Sequence, residues 1–297
     1  MNWPAFSFFF GYLFLFILCL AAAIWCKRRW HRTRFPLPES WKLLRMPGEH
    51  LWQRINKSDE DGFIGILIAM LLPLLVFWGA LQIVARFGQG RPKEGLAAAA
   101  AAFIVSLLLS LHWILRTLRR RANDYLGFFG ERYVAEFLDP LKAEGWFIFH
   151  DVPCEGATGK FNLDHVAVGR GGLWVVETKT RRKGRARPGL KGHEVIFEGG
   201  QLVWPWGESR AELKQALNNA RWLENWLQQV TGKKYQALSV IAFPGWNVVP
   251  RQLEPVRVVT ASKIRDVLTS HSRALLSPED VDLIRRQLDQ RCRTVEY

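Results

Sequence analysis

From Phe161 to Gly184 the chain reads FNLDHVAVGRGGLWVVETKTRRKG, and Asp164, Glu177 and Lys179 interrupt runs otherwise fit for buried strands. A hairpin symmetric about Arg170–Gly171 sets Val168 against Leu173, Val166 against Val175 and Asp164 against Glu177. Directly opposed residues have Cβ atoms about 4.5–5.5 Å apart, where like charges repel. Lys179 shares the face of Glu177 because side chains alternate along a strand, while His165, Ala167, Trp174 and Val176 take the other face. Burying two opposed carboxylates is costly without compensation. Two compensations are open. Lys179 can pair with one acid and leave the other near solvent, or a divalent cation can be held by both carboxylates together with waters. In the second case Lys179 holds or activates a water and offsets charge growing on a phosphate. Arg181, Arg182, Lys183, Arg185, Arg187 and Lys191 follow at once. They make either a phosphate-backbone contact surface or a solvated basic loop.

The elements that must position these groups are legible in outline. A helix capped at Asn123 or Asp124 carries Leu126, Phe129, Val134 and Phe137 near one face and ends by Pro140. WFIFHDV (146–152) reads as a strand ahead of the hairpin, and EVIFEGGQLVWPW as a second hairpin. Ser209 and Glu212 form a capping box that opens a helix running to Thr231-Gly232. Gln215 lies on that helix, where it can equally face solvent. YQALSVIAF and PVRVVT give two further strands, and helices are expected near 262–269 and 277–291. This order predicts an α/β domain, a mixed sheet flanked by helices.

Ahead of it lie three apolar runs, about 6–26, 63–85 and 96–115, each of the length needed to cross a bilayer core. Pro73 falls within the second. The first has no preceding positive charge and is long for a signal core, so it reads as a retained anchor. KRRWHRTR follows the first run and RTLRRR the third. The positive-inside rule puts both in the cytoplasm, with the N-terminus outside and the soluble domain within. The organisation expected is a three-helix membrane anchor over 1–115, a soluble domain over 116–250, and a C-terminal strand and helices over 251–297. From Arg116 onward 29 Lys+Arg stand against 21 Asp+Glu, a net +8 within a chain of +14. That balance favours polyanionic partners. The four cysteines form no C-x-x-C pair and give no zinc ribbon.

The ordered set G-E-R-Y-V (130–134), N-L-D-H (162–165) and E-T-K (177–179), with a hairpin between Asp and E-x-K, resembles the nuclease-related domain (NERD) family of the PD-(D/E)xK nuclease superfamily. The resemblance covers about 124–243. It implies a restriction-endonuclease-like mixed sheet, with Glu131 as the first-helix acid and Asp164 and Glu177 as metal ligands. By the same match Lys179 is the catalytic lysine and Gln215 a glutamine beside the site. Mg2+ is the implied cofactor, with Mn2+ able to replace it. The loop from E-x-K to Gln215 is longer and more basic than the family pattern, and no accessory zinc module or helicase-like segment is present.

Other chemistries find no support. The seven histidines show no H-E-x-x-H, there is no P-loop, and Asp151 and Glu155 read as loop residues. The tryptophans at 204, 206, 222, 226 and 246 serve either as core or as stacking platforms for bases. The leading expectation is a membrane-anchored, Mg2+-dependent nuclease acting on nucleic acid, DNA before RNA, in the cytoplasm. The rivals are a catalytically silent nucleic-acid-binding or tethering protein and a membrane scaffold whose basic loop meets anionic lipid.

Overall fold

A computed structural model describes residues 3–33, 42–87, 92–156, 159–270 and 275–295. They fall into two units, the first holding helix α1 (Trp3–Thr33) and the second running from Leu44 to Thr294. Helix α1 carries a shorter apolar stretch, Phe14–Lys27. The second unit begins with two long helices, α2 (Glu49–Phe87) and α3 (Pro92–Leu138). Two described helical segments, Glu49–Arg86 and Lys93–Glu144, are long and apolar enough to cross a membrane, where three were expected. Pro73 lies inside α2 without ending it.

Helices α2 and α3 run antiparallel, as their contacts show. Gly95 lies under Val84, Phe77 meets Phe103 at 5.5 Å, and Gly65 lies under Trp113. Farther along, Asp59 pairs with Arg121 at 2.7 Å and Gly127 sits against Leu51. A Cβ on Gly65 would come within 2.5 Å of the Trp113 ring, so this glycine permits the close approach. The apolar stretches expose Leu67, Met70, Leu74, Ile104, Leu108 and Leu109. No cap separates the apolar part of α3 from the helix expected to start at 123 or 124; one helix serves both. The polar stretch from Arg116 to Asp124 continues the helix because it holds no glycine or proline and is braced by α2 through the Asp59–Arg121 pair.

Beyond a 3-10 turn over Asp139–Glu144 come β1 (Phe147–Gly156), β2 (Gly159–Gly169), β3 (Gly172–Thr178), β4 (Glu194–Glu198), β5 (Gln201–Trp204) and β6 (Gly207–Ser209). Helix α4 (Ala211–Thr231), β7 (Ala237–Phe243), β8 (Asn247–Pro250), β9 (Arg257–Thr260), α5 (Ile264–Ser270) and α6 (Pro278–Cys292) complete the unit. A five-stranded sheet has the order β9-β7-β3-β2-β1 and a four-stranded one the order β6-β5-β4-β8. β1, β2 and β3 pair antiparallel, whereas β7 lies parallel to both β3 and β9, so the sheet is mixed as expected. The register at the β2–β3 turn sets Val166 against Val175 and Val168 against Leu173.

Both faces of the five-stranded sheet are buried. Val166, Val168, Leu173 and Val175 pack with Leu223 and Leu227 of α4 and Ile284 and Leu288 of α6. Ala167, Trp174 and Val176 pack with Val134 and Leu138 of α3 and Ile264 and Leu268 of α5. This clean alternation breaks at one level. Phe149 and Val152 share a core cluster, as do Leu163 and Val166, so the parity of side chains flips between them. Asp151, with φ of 49°, sits at the flip.

Helix α3 meets the end of β3 through Gly130. A Cβ there would lie 2.0 Å from Thr180 Oγ1. Gly130→Ala gains about 1 kcal/mol of helix propensity but meets an overpacking cost of about 1–3 kcal/mol. Thermal unfolding is expected to show a lowered Tm for Gly130→Ala and partial recovery when Thr180→Ala is added; an unchanged Tm would contradict the close approach.

Candidate functional site

At the end of β3 the ladder with β2 gives way to a side-chain bond. The last assigned pair is His165 with Val176, and beyond it the Thr178 N–H donates to Asp164 Oδ2 at 2.7 Å. The Asp164 carboxylate therefore takes the place of a backbone carbonyl. On the other edge the Lys179 N–H donates to the Ala242 carbonyl at 2.9 Å, so strand-like hydrogen bonding continues past Thr178 on that side.

Glu177 is 2% exposed and accepts hydrogen bonds from three side chains. Its Oε1 accepts from Lys179 Nζ at 2.7 Å and from Gln215 Nε2 at 2.8 Å, and its Oε2 from Asn219 Nδ2 at 2.7 Å. Lys179 Nζ also donates to Gln215 Oε1 at 3.0 Å, which closes a triangle of Glu177, Lys179 and Gln215. Gln215 thus faces this cluster, and Asn219, one helical turn farther along α4, completes the clamp. The sequence reading missed Asn219, although its i+4 spacing from Gln215 was the available signal.

Glu131 arrives from α3 and is 5% exposed, and its Oε2 has no hydrogen-bond partner among the described residues. Burial is the largest influence on its acidity, and with the nearby charges of Asp151 and Glu177 it raises the pKa from the ordinary 4.5 to about 7 against the opposing pull of His50 and the Gly48 amide. Burial likewise raises Asp164 well above the usual carboxylate range, helped by Glu177 and Glu131. For Lys179 burial acts to lower the pKa, but Glu177 and Asp164 outweigh it and the net shift is upward. Glu131, Asp164, Glu177, Lys179 and Gln215 are therefore brought to one place.

Two further groups were not foreseen. Asp151 falls inside the strand expected over 146–152, as found, but its side chain, read as a loop residue's, is fully buried. Its Oδ2 accepts from Arg45 Nε at 2.7 Å and from the His50 N–H at 2.9 Å, and its Oδ1 meets His50 Nδ1. Counting the β1–β2 register from His150–His165 and Val152–Leu163 places Asp151 opposite Asp164. That register was the only sequence signal for it. His50 lies about 100 residues upstream on α2, and no local pattern marks it.

The basic residues divide. Arg181 pairs with Glu212 and lies over the Trp204 ring at 4.9 Å, and its carbonyl accepts from Trp246 Nε1 at 3.1 Å. Arg182 reaches back to Asn123 Oδ1 and the Ala122 carbonyl on α3. Lys191 pairs with Glu194 at 3.0 Å. Lys183, Arg185 and Arg187 are exposed. The expected capping box is shifted: α4 has Arg210 at its N-cap, and Ser209 one residue earlier donates to the Glu212 carboxylate. Glu212 also pairs with Arg181.

Residues 126–244 match the family model of the nuclease-related domain. This part of the chain is a nuclease-related domain. It contains Glu131, Asp151, Asp164, Glu177, Lys179, Gln215 and Asn219, whereas Arg45 and His50 reach it from outside. No curated protein and no solved structure matches the chain.

The raised Glu131 gives this domain a testable pH dependence. Its folded pKa lies above its unfolded value, so the folded chain binds the extra proton between about pH 4.5 and 7. Stability from this group is therefore present below pH 4.5 and lost as pH rises through about 7. Without divalent metal, Glu131→Gln is expected to gain stability over the parent between pH 5 and pH 8 by about 2.5 kcal/mol. Chemical denaturation at the two pH values reads it, and a difference independent of pH contradicts it.

Proposed function

We propose that the chain is a membrane-anchored, divalent-metal-dependent nuclease that hydrolyses phosphodiester bonds of nucleic acid, DNA in preference, on the cytoplasmic face. What carries the reading is the grouping of Asp164, Glu177 and Lys179 at one strand end inside a nuclease-related domain. The donor set fits a hard dication: burial, with Glu177 and Glu131 nearby, holds Asp164 above its usual range, and Glu177 Oε2 accepts one hydrogen bond among the described residues. Mg2+ or Mn2+, when bound by Asp164 and Glu177, supplies Lewis-acid polarisation of a phosphate oxygen and a more acidic water.

The chain's own residues do the remaining work. Gln215 and Asn219 fix the Glu177 carboxylate, and the Thr178 amide fixes Asp164. Two of the three Lys179 N–H groups are committed to Glu177 and Gln215, and the third has no partner among the described residues. That third donor holds the attacking water or a phosphate oxygen, while the ammonium offsets charge in the transition state. Lys183, Arg185 and Arg187 grip the nucleic-acid backbone.

The antiparallel pairing of α2 and α3 supports anchoring, because it brings the polar N-terminal part of α2 and the C-terminal part of α3 to the same side of their apolar stretches. Arg116, Arg119, Arg120 and Arg121 directly follow the apolar part of α3, which favours the cytoplasm for that side.

The full-length chain in detergent, incubated with linear, circular and single-stranded DNA and with RNA, tests this. Cleavage is expected with Mg2+ or Mn2+ and not with EDTA, and Lys179→Ala is expected to lower it by roughly 10²–10⁴-fold. Intact substrates bound equally by parent and Lys179→Ala would instead establish a silent tether. The loop makes a separate prediction. Arg185→Ala with Arg187→Ala should weaken DNA binding and reduce the slope of log affinity against log salt by about 1 for each lost phosphate contact. An unchanged slope in fluorescence anisotropy titrations removes these arginines from the interface.

A further inference from the structure

Beside the Asp164–Glu177 pair lies a second cluster of different chemistry. His50, Glu131 and Asp151 each offer one ligand atom, and these atoms lie within 4.8 Å of one another. Each comes from a different element: α2, α3 and β1.

Three features mark the cluster as built rather than accidental. Glu131 is 5% exposed with Oε2 unpartnered, and a buried oxygen without a partner costs about 1–3 kcal/mol or more when charged. Asp151 holds a left-handed backbone at φ 49°, a conformation costing about 1–3 kcal/mol in a residue other than glycine. And Asp151 is oriented from behind: Arg45 and the His50 amide occupy Oδ2, while Oδ1 faces the imidazole. Outer hydrogen bonds that fix a ligating carboxylate in this way are typical of metal centres.

We infer that His50, Glu131 and Asp151 form a second cation site that takes a transition-metal dication, zinc above all. One imidazole nitrogen and two carboxylate oxygens suit Zn2+ better than Mg2+, which prefers oxygen donors alone. Three protein ligands leave a fourth position for water. Binding replaces the His50 Nδ1–Asp151 Oδ1 hydrogen bond with two bonds to the ion and releases any proton held between them. Glu131 Oε2 becomes the third ligand. The zinc site shares Glu131 with the nuclease reading but takes neither Asp164 nor Glu177, and His50 lies outside the matched domain.

Equilibrium dialysis of the full-length chain in detergent against Zn2+, with Mg2+ in large excess, tests it. The parent and Asp164→Asn are each expected to bind one tight Zn2+ per chain. His50→Gln and Asp151→Asn are expected to bind it at least tenfold more weakly, and added Zn2+ should raise the Tm of the parent and of Asp164→Asn but not of His50→Gln. Should a variant fail to fold, X-ray absorption at the zinc edge of the parent decides: one imidazole nitrogen among oxygen ligands supports the site, and oxygen ligands alone overturn it. A parent that binds no tight zinc also overturns it. So does zinc kept by His50→Gln but lost by Asp164→Asn, an outcome that moves the ion to the other pair and leaves the nuclease reading standing.

Discussion

The domain is organised around the burial of one carboxylate. Glu177 stands at the end of a strand whose preceding residues are wholly buried and is itself 2% exposed. Three side chains supply its hydrogen bonds. This clamp sets the position of α4, which must present Gln215 and Asn219 to the strand end while Leu223 and Leu227, one and two turns on, enter the core. Thr178 extends the arrangement to both sheet faces. Its amide holds Asp164, and its hydroxyl meets His165 at 3.2 Å, which bonds His150 at 2.8 Å. Polar groups buried on both sides of one residue are thus satisfied in series, as a low-dielectric interior demands.

The four-stranded sheet extends this framework toward the basic loop. Trp204, Trp206 and Trp246 pack with one another, and Trp204 also meets the Phe243 ring. Trp246 holds the carbonyl of Arg181, and Trp204 lies beneath its guanidinium. The first residue after the E-T-K motif and Thr180 is therefore fixed by side-chain and main-chain contacts alike. Of the five tryptophans that composition offers as base-stacking platforms, Trp204 and Trp246 are interior, and Trp206, Trp222 and Trp226 are partly buried. Aromatic mass here shapes the base of the loop.

How much was legible in the sequence depended on the distance over which each constraint acts. The β2–β3 register followed from the turn at Arg170–Gly171 and is found as expected. Strand alternation put Lys179 on the face of Glu177, whereas Gln215 was placed beside them by the family resemblance alone, since on the helix it could equally face solvent. The burial of Asp151 was missed because the alternation flips at its positive-φ backbone, so strand periodicity does not tell which face its side chain takes. His50 and Arg45 were invisible for a plainer reason: they join Asp151 across more than 100 residues, and nothing in a short window announces such a contact. The cap expected at Asn123 failed because Asp and Asn favour helix starts only where the chain upstream is not already helical.

One feature of the helical pair carries a mechanical consequence. His50 and Glu131 sit at corresponding levels of α2 and α3, and each helix continues without interruption into its apolar stretch. At about 1.5 Å per residue, roughly 20 Å of helix separates His50 from residue 63 and roughly 24 Å separates Glu131 from residue 115. The gap between these two side chains is therefore a readout of how the apolar stretches are aligned with each other, an alignment keyed by Gly65 against Trp113 and Gly95 against Val84. Where a bilayer surrounds those stretches, its thickness and lateral pressure act on the same two rods. An axial slip of one apolar stretch past the other would have to break the Asp59–Arg121 pair and the Gly127–Leu51 contact before reaching His50 and Glu131, so one alignment sets both the apolar pair and the site.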